Sequence, residues 1–463
     1  MGSSDVYKND QPPTASTTGG NFGQGSFRPR RATVKELHDE IPSILALQKW
    51  ASQHAMAPSL EAFVNYGAED NESLQANRKG FDRYALRPRI LKDVATNFDT
   101  SVTILQGRVK LSLPLCVAPF AGCRALHPDG ELAIAKAAAA AGIAYTIPNW
   151  ASIPIEDIVR VHQDASSSSS SSSFLAPLFV QLYPQKPVAP SGEGIHRTHM
   201  EAVLRYLSSF SKSIVAVIVT CDTVNNGNRE VTYKNKQWVP ALNEQVGGFP
   251  EPCALPHDEL PSIGEPGHSA QMTWDDIRWM KVQCKKHNLA LCLKGIMTKE
   301  DTQLAVKAGV DAVIVSNHGG RQLDGTLGTV EVIAECVDAA RGSPLEIFVD
   351  GGCRRGKDMV KCLALGAKCI MVGRPVLWGL AAAGEEGVAR ALSIYREEFE
   401  IVLQLLGCKS PQELSREHVH DIKSTKVMEG NSAKTYGTAP WAMATCLVAF
   451  VAFSLGRSSR SHS

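Results

Sequence analysis

In the stretch VIVSNHGGRQLDG, residues 313 to 325, an imidazole and a guanidinium lie three positions apart: His318 and Arg321, in a polar, glycine-rich turn that follows an apolar run. Histidine titrates near neutrality and can take a proton at working pH. Arginine presents a rigid fork of donors that matches a carboxylate. Gly319 and Gly320 carry no side chain, so backbone can lie close to a flat ligand. Such a loop can hold an acid at a fixed distance from a base. A loop histidine by itself is more often structural, so the reading depends on partners. Asp222, at the end of the run IVAVIVTCD, is the best-placed carboxylate to orient the imidazole, and Arg229 offers a second site for a substrate carboxylate.

Further cations stand behind other apolar runs. VDGGCRRGKD and VGRP place Arg354 and Arg374 beside glycines and the start of a helix, the makings of a phosphate site. Lys294 closes the run LALCLKG; next to a phosphate site it fits a cation set against the ring of a phosphate-bearing cofactor.

These residues need a scaffold that brings distant segments to one rim. Eight short apolar runs recur: LPLCVAPF, IAYTIPNW, PLFVQLY, IVAVIVTCD, LALCLKG, DAVIVSN, LEIFVDGG and KCIMVGRP. Their apolarity is continuous rather than alternating, as in parallel strands buried on both faces. Helix-like stretches such as GELAIAKAAAAAG and TKEDTQLAVKAG separate them, each stopping at glycine. Eight β-α units predict an α/β fold, a (β/α)8 TIM barrel, with an N-terminal helical extension and a C-terminal apolar tail. In such a barrel the strand ends share one mouth, and here they carry Gln181, Tyr183, Thr220, Asp222, Lys294, Ser316, His318, Asp350, Gly373 and Arg374.

Composition excludes other classes. Lys+Arg 48 against Asp+Glu 47 gives no electrostatic case for a nucleic-acid partner. The 12 cysteines form no CxxC pair and lie mostly in apolar runs, so buried reduced thiols are expected rather than disulfides, and no metal site. Residues 1–31 read as a disordered arm without a secretory signal, and Val6 rules out the myristoylation pattern. The barrel domain is expected over 32–430, with a serine-run loop insertion at 166–173 and an active-site lid at about 224–271. In the tail, 431–463, the apolar run 439–455 is expected to be a membrane anchor, in preference to a segment packed on the fold or on a partner subunit. Membrane association with a cytosol-facing catalytic domain follows, at a peroxisome or mitochondrial outer membrane.

The stretch SNHGGRQLDG resembles the signature of the FMN-dependent α-hydroxy acid oxidases and dehydrogenases, and so do YGAED, NRKGFDRYALRPRIL, HPDGELAIAKAAAAAG, NWASIPIED, LKGIMTKEDTQLAVKAG and VGRPVLWGLAAAGEEGV, in family order from about residue 40 to 425. The resemblance implies FMN as cofactor and oxidation of an (S)-2-hydroxy acid to a 2-oxo acid, with electrons passing to O2 or another acceptor. It implies His318 as base with Asp222 as its partner, Arg321 and Arg229 on the substrate carboxylate, and Tyr183 on the hydroxyl side. For FMN it implies Lys294, Gln181, Thr220 and Ser316 around the ring, and Asp350, Gly351, Gly352, Arg354, Gly373 and Arg374 at the ribityl chain and phosphate. Two positions depart from the family pattern. Phe63 stands where a substrate-binding tyrosine is usual, and Pro148 where Ser or Thr is common. Together with Phe120 and Trp150 they point to an apolar substrate pocket. A homo-oligomer is expected. The rival readings are another FMN-barrel chemistry, such as an isomerase, which would not need two arginines converging on a carboxylate, and a membrane-tethered flavoprotein with weakened catalysis and a binding role.

Overall fold

Eight parallel strands close on themselves: β1 (Leu115–Val117), β2 (Ala144–Ile147), β3 (Leu178–Leu182), β4 (Ile214–Thr220), β5 (Ala290–Ile296), β6 (Ala312–Val315), β7 (Glu346–Val349) and β8 (Cys369–Val372), with β8 pairing back onto β1. Each expected run forms one strand, and nearly every strand residue is buried, which is why the runs lack polar alternation. The computed structural model describes residues 29–168, 176–184, 195–234 and 270–422. The chain divides into a unit ending at His420 and a second, 421–463, of which only the first two residues are described.

Helices between the strands stop where glycine takes a left-handed turn, as at Gly142 (φ 67°) and Gly309 (φ 71°). Inside the barrel, Cys116, Ala144, Phe179, Ala216, Cys292, Ile314, Phe348 and Met371 belong to a filled core. A short antiparallel hairpin, Val102–Ile104 with Val109–Leu111, joins that core, and Glu346 at the start of β7 accepts the Leu105 and Gln106 amides at 2.7 and 3.0 Å. The N-terminal end of the barrel is thereby plugged, and open space remains at the strands' C-terminal end. Two helices of the N-terminal extension reach that mouth. Pro58–Asn65 carries Phe63, and Glu72–Lys79 carries Asn77. The ten described cysteines are all free.

Four expectations need correction or restriction. Ser166–Ser168 continue the helix Ile155–Ser168, because Ser166 Oγ donates back to the His162 carbonyl (2.8 Å) and so fits the helical backbone; residues 169–175 of the serine region lie outside the described residues. Within the expected disordered arm, residues 29–31 are described. The Arg30 amide bonds the His54 carbonyl at 2.8 Å and the Arg31 guanidinium bonds the Ala381 carbonyl. The lid expected at 224–271 is described only at its two ends. The membrane association is overturned: among the described residues no helix is long and apolar enough to cross a membrane. The longest helical stretch, Arg374–Leu405, breaks at Ala383 and Gly384, and its second part carries Glu385, Glu386, Arg390, Arg396, Glu397, Glu398 and Glu400, charges that hydrocarbon would penalise. The run 439–455 itself lies outside the described residues.

Candidate active site

The barrel mouth holds a cavity of about 360 Å³. It is lined by Phe63, Trp150, Gln181, Tyr183, Thr220, Arg229, Lys294, His318, Arg321, Asp350, Gly351, Gly352, Arg354, Gly373 and Arg374, so most of the expected site residues share one space. Two do not line it. Asp222 sits behind His318, and Ser316 sits behind Lys294.

His318 follows β6 with φ 58°, a left-handed conformation uncommon for a residue with a side chain. Its amide donates to Ser316 Oγ at 3.1 Å, which helps to hold the turn. Its Nδ1 meets Asp222 Oδ1 at 2.9 Å. That bond uses Nδ1 and leaves Nε2 as the ring nitrogen available for proton exchange. Burial lowers the His318 pKa below its ordinary value, and the charge of Asp222 offsets only part of that. The imidazole is therefore neutral at pH 7 and able to accept a proton. Burial works to raise the pKa of Asp222, but His318 and Lys294 together bring it down to about 2, so the carboxylate stays charged beside the ring. Asp222 has room there because its neighbour is Gly295. The β5–β6 register shifts at this glycine, its φ is 107°, and a Cβ on it would come within 2.7 Å of Asp222 Cβ.

One end of the cavity is suited to an anion. Arg354 is buried, Arg374 is half-buried, and both line it. Burial lowers Arg354 to about 10; burial and the neighbouring Arg354 lower Arg374 to about 9. Two depressed guanidiniums facing one space want a negative group between them. Arg354 is steadied by the Cys353 carbonyl (2.8 Å) and the Trp378 ring (4.9 Å to its centroid), Arg374 by the Val64 carbonyl (2.8 Å). The buried Nε of Arg354 and Oδ1 of Asp350 have no hydrogen-bond partner among the described residues. Gly373 lies among them, and a Cβ there would meet nothing closer than Ala118 Cβ at 3.9 Å, so the missing side chain leaves ligand space. A phosphate and its polyol chain fit this set. Gly351 and Gly352 line the cavity too, and the backbone also requires glycine at both. They adopt φ 97° and 78°, and a Cβ on Gly352 would fall 1.8 Å from the Asn77 carbonyl oxygen. Between the two ends, Lys294 Nζ donates to Ser316 Oγ at 3.0 Å and lies 3.4 Å from Asp350. Burial works to lower its pKa, but the carboxylates of Asp350 and Asp222 outweigh that and raise it, which keeps it a cation. Gln181 bridges the Asn149 amide (3.0 Å) to Thr220 Oγ1 (3.1 Å), and Thr220 is the register partner of Lys294.

The remaining wall is aromatic. Phe63 and Phe120 meet edge to face at 5.8 Å, Trp150 and Tyr183 lie 5.0 Å apart, and Pro119 and Pro148 line the cavity with them, as do the polar Thr223, Asn226 and Thr232. The Arg321 guanidinium lies 4.9 Å over the Phe63 ring and donates to the Phe63 carbonyl at 2.6 Å. Burial raises the Tyr183 pKa, so the phenol keeps its proton. Sequence reasoning missed the buried amide pair Asn77–Asn317, which exchanges bonds of 2.7 and 3.0 Å across 240 residues, and the contacts of Gln322. Neither carries a local signal, because each depends on segments that meet only in the fold.

The family model described as FMN-dependent dehydrogenase matches residues 52–421. Glycolate oxidase 1 of Zea mays is 37% identical over 82% of this chain and 96% of its own length. 2-Hydroxyacid oxidase 2 of Homo sapiens is 36% identical over 79% and 94%. A relative from Arabidopsis thaliana, 35% identical over 82% of this chain, is named a peroxisomal (S)-2-hydroxyacid oxidase. Among solved structures, a mandelate oxidase variant with (S)-mandelic acid superposes with TM-score 0.65 at 32% identity, covering 82% of this chain and 97% of that one.

Proposed function

The chain belongs to the FMN-dependent dehydrogenase family, and from that premise we propose that it oxidises (S)-2-hydroxy acids whose side chain is larger and more apolar than that of glycolate. The reaction is oxidation of an (S)-2-hydroxy acid to a 2-oxo acid with FMN as cofactor. Bound FMN supplies the acceptor for an electron pair. Arg354 and Arg374 hold its phosphate, with Asp350, Gly351, Gly352 and Gly373 along the ribityl chain. Gln181 and Thr220 meet the ring, Lys294 places positive charge beside it, and Ser316 orients Lys294. Arg321 and Arg229 take the substrate carboxylate, and Tyr183 donates toward its hydroxyl. His318 Nε2 takes the hydroxyl proton, and Asp222 stabilises the imidazolium that results. Relatives named as oxidases support O2 as the final acceptor, with hydrogen peroxide as its product.

The observation that carries the substrate reading is the wall of Phe63, Phe120, Pro148 and Trp150 beside Arg321. A phenyl ring at position 63 cannot donate to a carboxylate. The Phe63→Tyr protein tests whether that donor is wanted. The expected result is no gain in kcat/KM on glycolate and a loss on a phenyl-bearing 2-hydroxy acid, because the added hydroxyl sits against hydrocarbon. A gain on glycolate of about 1–3 kcal/mol in kcat/KM, the size of a hydrogen bond to a charged group, without loss on the aromatic acid would overturn the apolar-pocket reading.

The pH profile gives an independent check. The base works deprotonated and its pKa is lowered, so the acid limb of kcat/KM lies below the ordinary histidine value. Asp222→Asn removes the charge that favours the imidazolium, and is expected to move the limb further down while slowing flavin reduction. A limb that does not move assigns it to another group.

A further inference from the structure

The geometry points to Gln322 as a positioning residue that ties the substrate-gripping Arg229 to the His318–Asp222 dyad, an inference that rests on the roles proposed above for Arg229 and Asp222. Gln322 is buried and is not part of the cavity lining. Its side-chain amide makes four hydrogen bonds, all to the loop after β4. Nε2 donates to the Asp222 carbonyl at 3.1 Å and to the Asn225 carbonyl at 2.8 Å. Oε1 accepts from the Gly227 amide at 3.3 Å and from Arg229 Nη2 at 2.9 Å. Two donors and two lone pairs are the full capacity of a primary amide. The orientation is fixed as well, since a flipped amide would set its NH2 against two donors and its oxygen against two carbonyls.

Gln322 sits one residue after Arg321 and four after His318, on the loop that follows β6. One side chain therefore joins the loop carrying the base and one arginine to the loop carrying the base's carboxylate and the other arginine. The backbones are close enough to make this a tight fit: a Cβ on Gly227 would fall 2.3 Å from the Arg321 carbonyl oxygen, and that oxygen also accepts from Arg229 Nε at 3.1 Å. Without the amide, Arg229 loses the acceptor that directs one arm of its fork, and Asp222 loses the donor that pins its backbone beside His318. Carboxylate binding and proton removal then weaken together.

The test is a double-substitution cycle on FMN-loaded full-length protein. Pyruvate, a 2-oxo acid that cannot be oxidised at this site, serves as the carboxylate probe; its affinity is read from the flavin absorbance change, and flavin reduction by a saturating 2-hydroxy acid is read by anaerobic rapid mixing. Gln322→Met is expected to weaken pyruvate binding and to slow reduction, each by about tenfold or more, as befits a lost hydrogen bond to a charged group. In an Arg229→Met background the same substitution is expected to change pyruvate affinity by less than about twofold, because the partner it acts through is already gone. If the two substitutions multiply independently, or if Gln322→Met leaves both readings unchanged, the clamp is overturned. If Arg229→Met alone leaves pyruvate binding unchanged, the reading of Arg229 falls first and the clamp with it. Gln322→Asn withdraws the amide by one methylene and takes the same cycle, with the same outcomes, should the methionine protein fail to hold FMN.

Discussion

His318→Gln is expected to give a folded, yellow, FMN-bound protein whose flavin is reduced by substrate more slowly by about 10²–10⁴-fold, the usual contribution of a positioned general base. Glutamine can still meet Asp222 through its amide, but it cannot take a proton. The anion end of the cavity is supplied by Arg354 after β7 and Arg374 after β8, whereas His318 follows β6, so cofactor retention should not depend on the imidazole. The loss should fall on the reduction step at saturating substrate rather than on FMN content. Fast reduction in a fully loaded His318→Gln protein would remove this residue from the mechanism.

The second large effect concerns the cofactor itself. Arg354→Met and Arg374→Met are each expected to weaken FMN binding by about 1.5–3 kcal/mol, roughly 10- to 150-fold, the size of a charge-assisted hydrogen bond. The cost should appear in affinity for FMN rather than in the fold. Desolvation pushes both guanidiniums below their ordinary pKa, so the apoprotein carries a cost that the phosphate relieves and that methionine removes. Titration of apoprotein with FMN, paired with thermal melts of the apo and loaded forms, checks this. The wild type should gain more in Tm from FMN than either variant does. An equal gain in all three would place the phosphate elsewhere.

These effects trace back to features of very different legibility. The eight barrel strands were readable because burial on both faces leaves an unbroken apolar signature, and a glycine stop marks the helices after β1 and β5. The convergence of His318, Arg321, Lys294, Arg354 and Arg374 on one cavity was readable because a barrel puts strand ends on one mouth, so position in the repeat already implies it. The plugging hairpin was not. Its strands are three residues each and alternate buried and exposed, too short a pattern to stand out from a loop. The contacts of Gln322 were hidden within the motif, because its four partners lie 93 to 100 residues away and are joined only when two βα loops meet. A further constraint on Gly351 and Gly352 was not legible: a side chain there would meet Thr329 and Asn77, the latter on a helix of the N-terminal extension. The membrane expectation failed because hydropathy of one stretch says that it avoids water, not what covers it.

The measurement that bears most directly on the central claim is anaerobic mixing of the FMN-loaded protein with the two enantiomers of a phenyl-bearing 2-hydroxy acid. The account predicts that the (S) acid bleaches the visible absorbance of the flavin completely and yields 2-oxo acid in amounts matching the flavin reduced, that the (R) acid does neither, and that glycolate reduces the flavin more slowly than the aromatic acid. A fully loaded protein whose flavin stays oxidised with the (S) acid, or bleaches equally with both enantiomers, would contradict it.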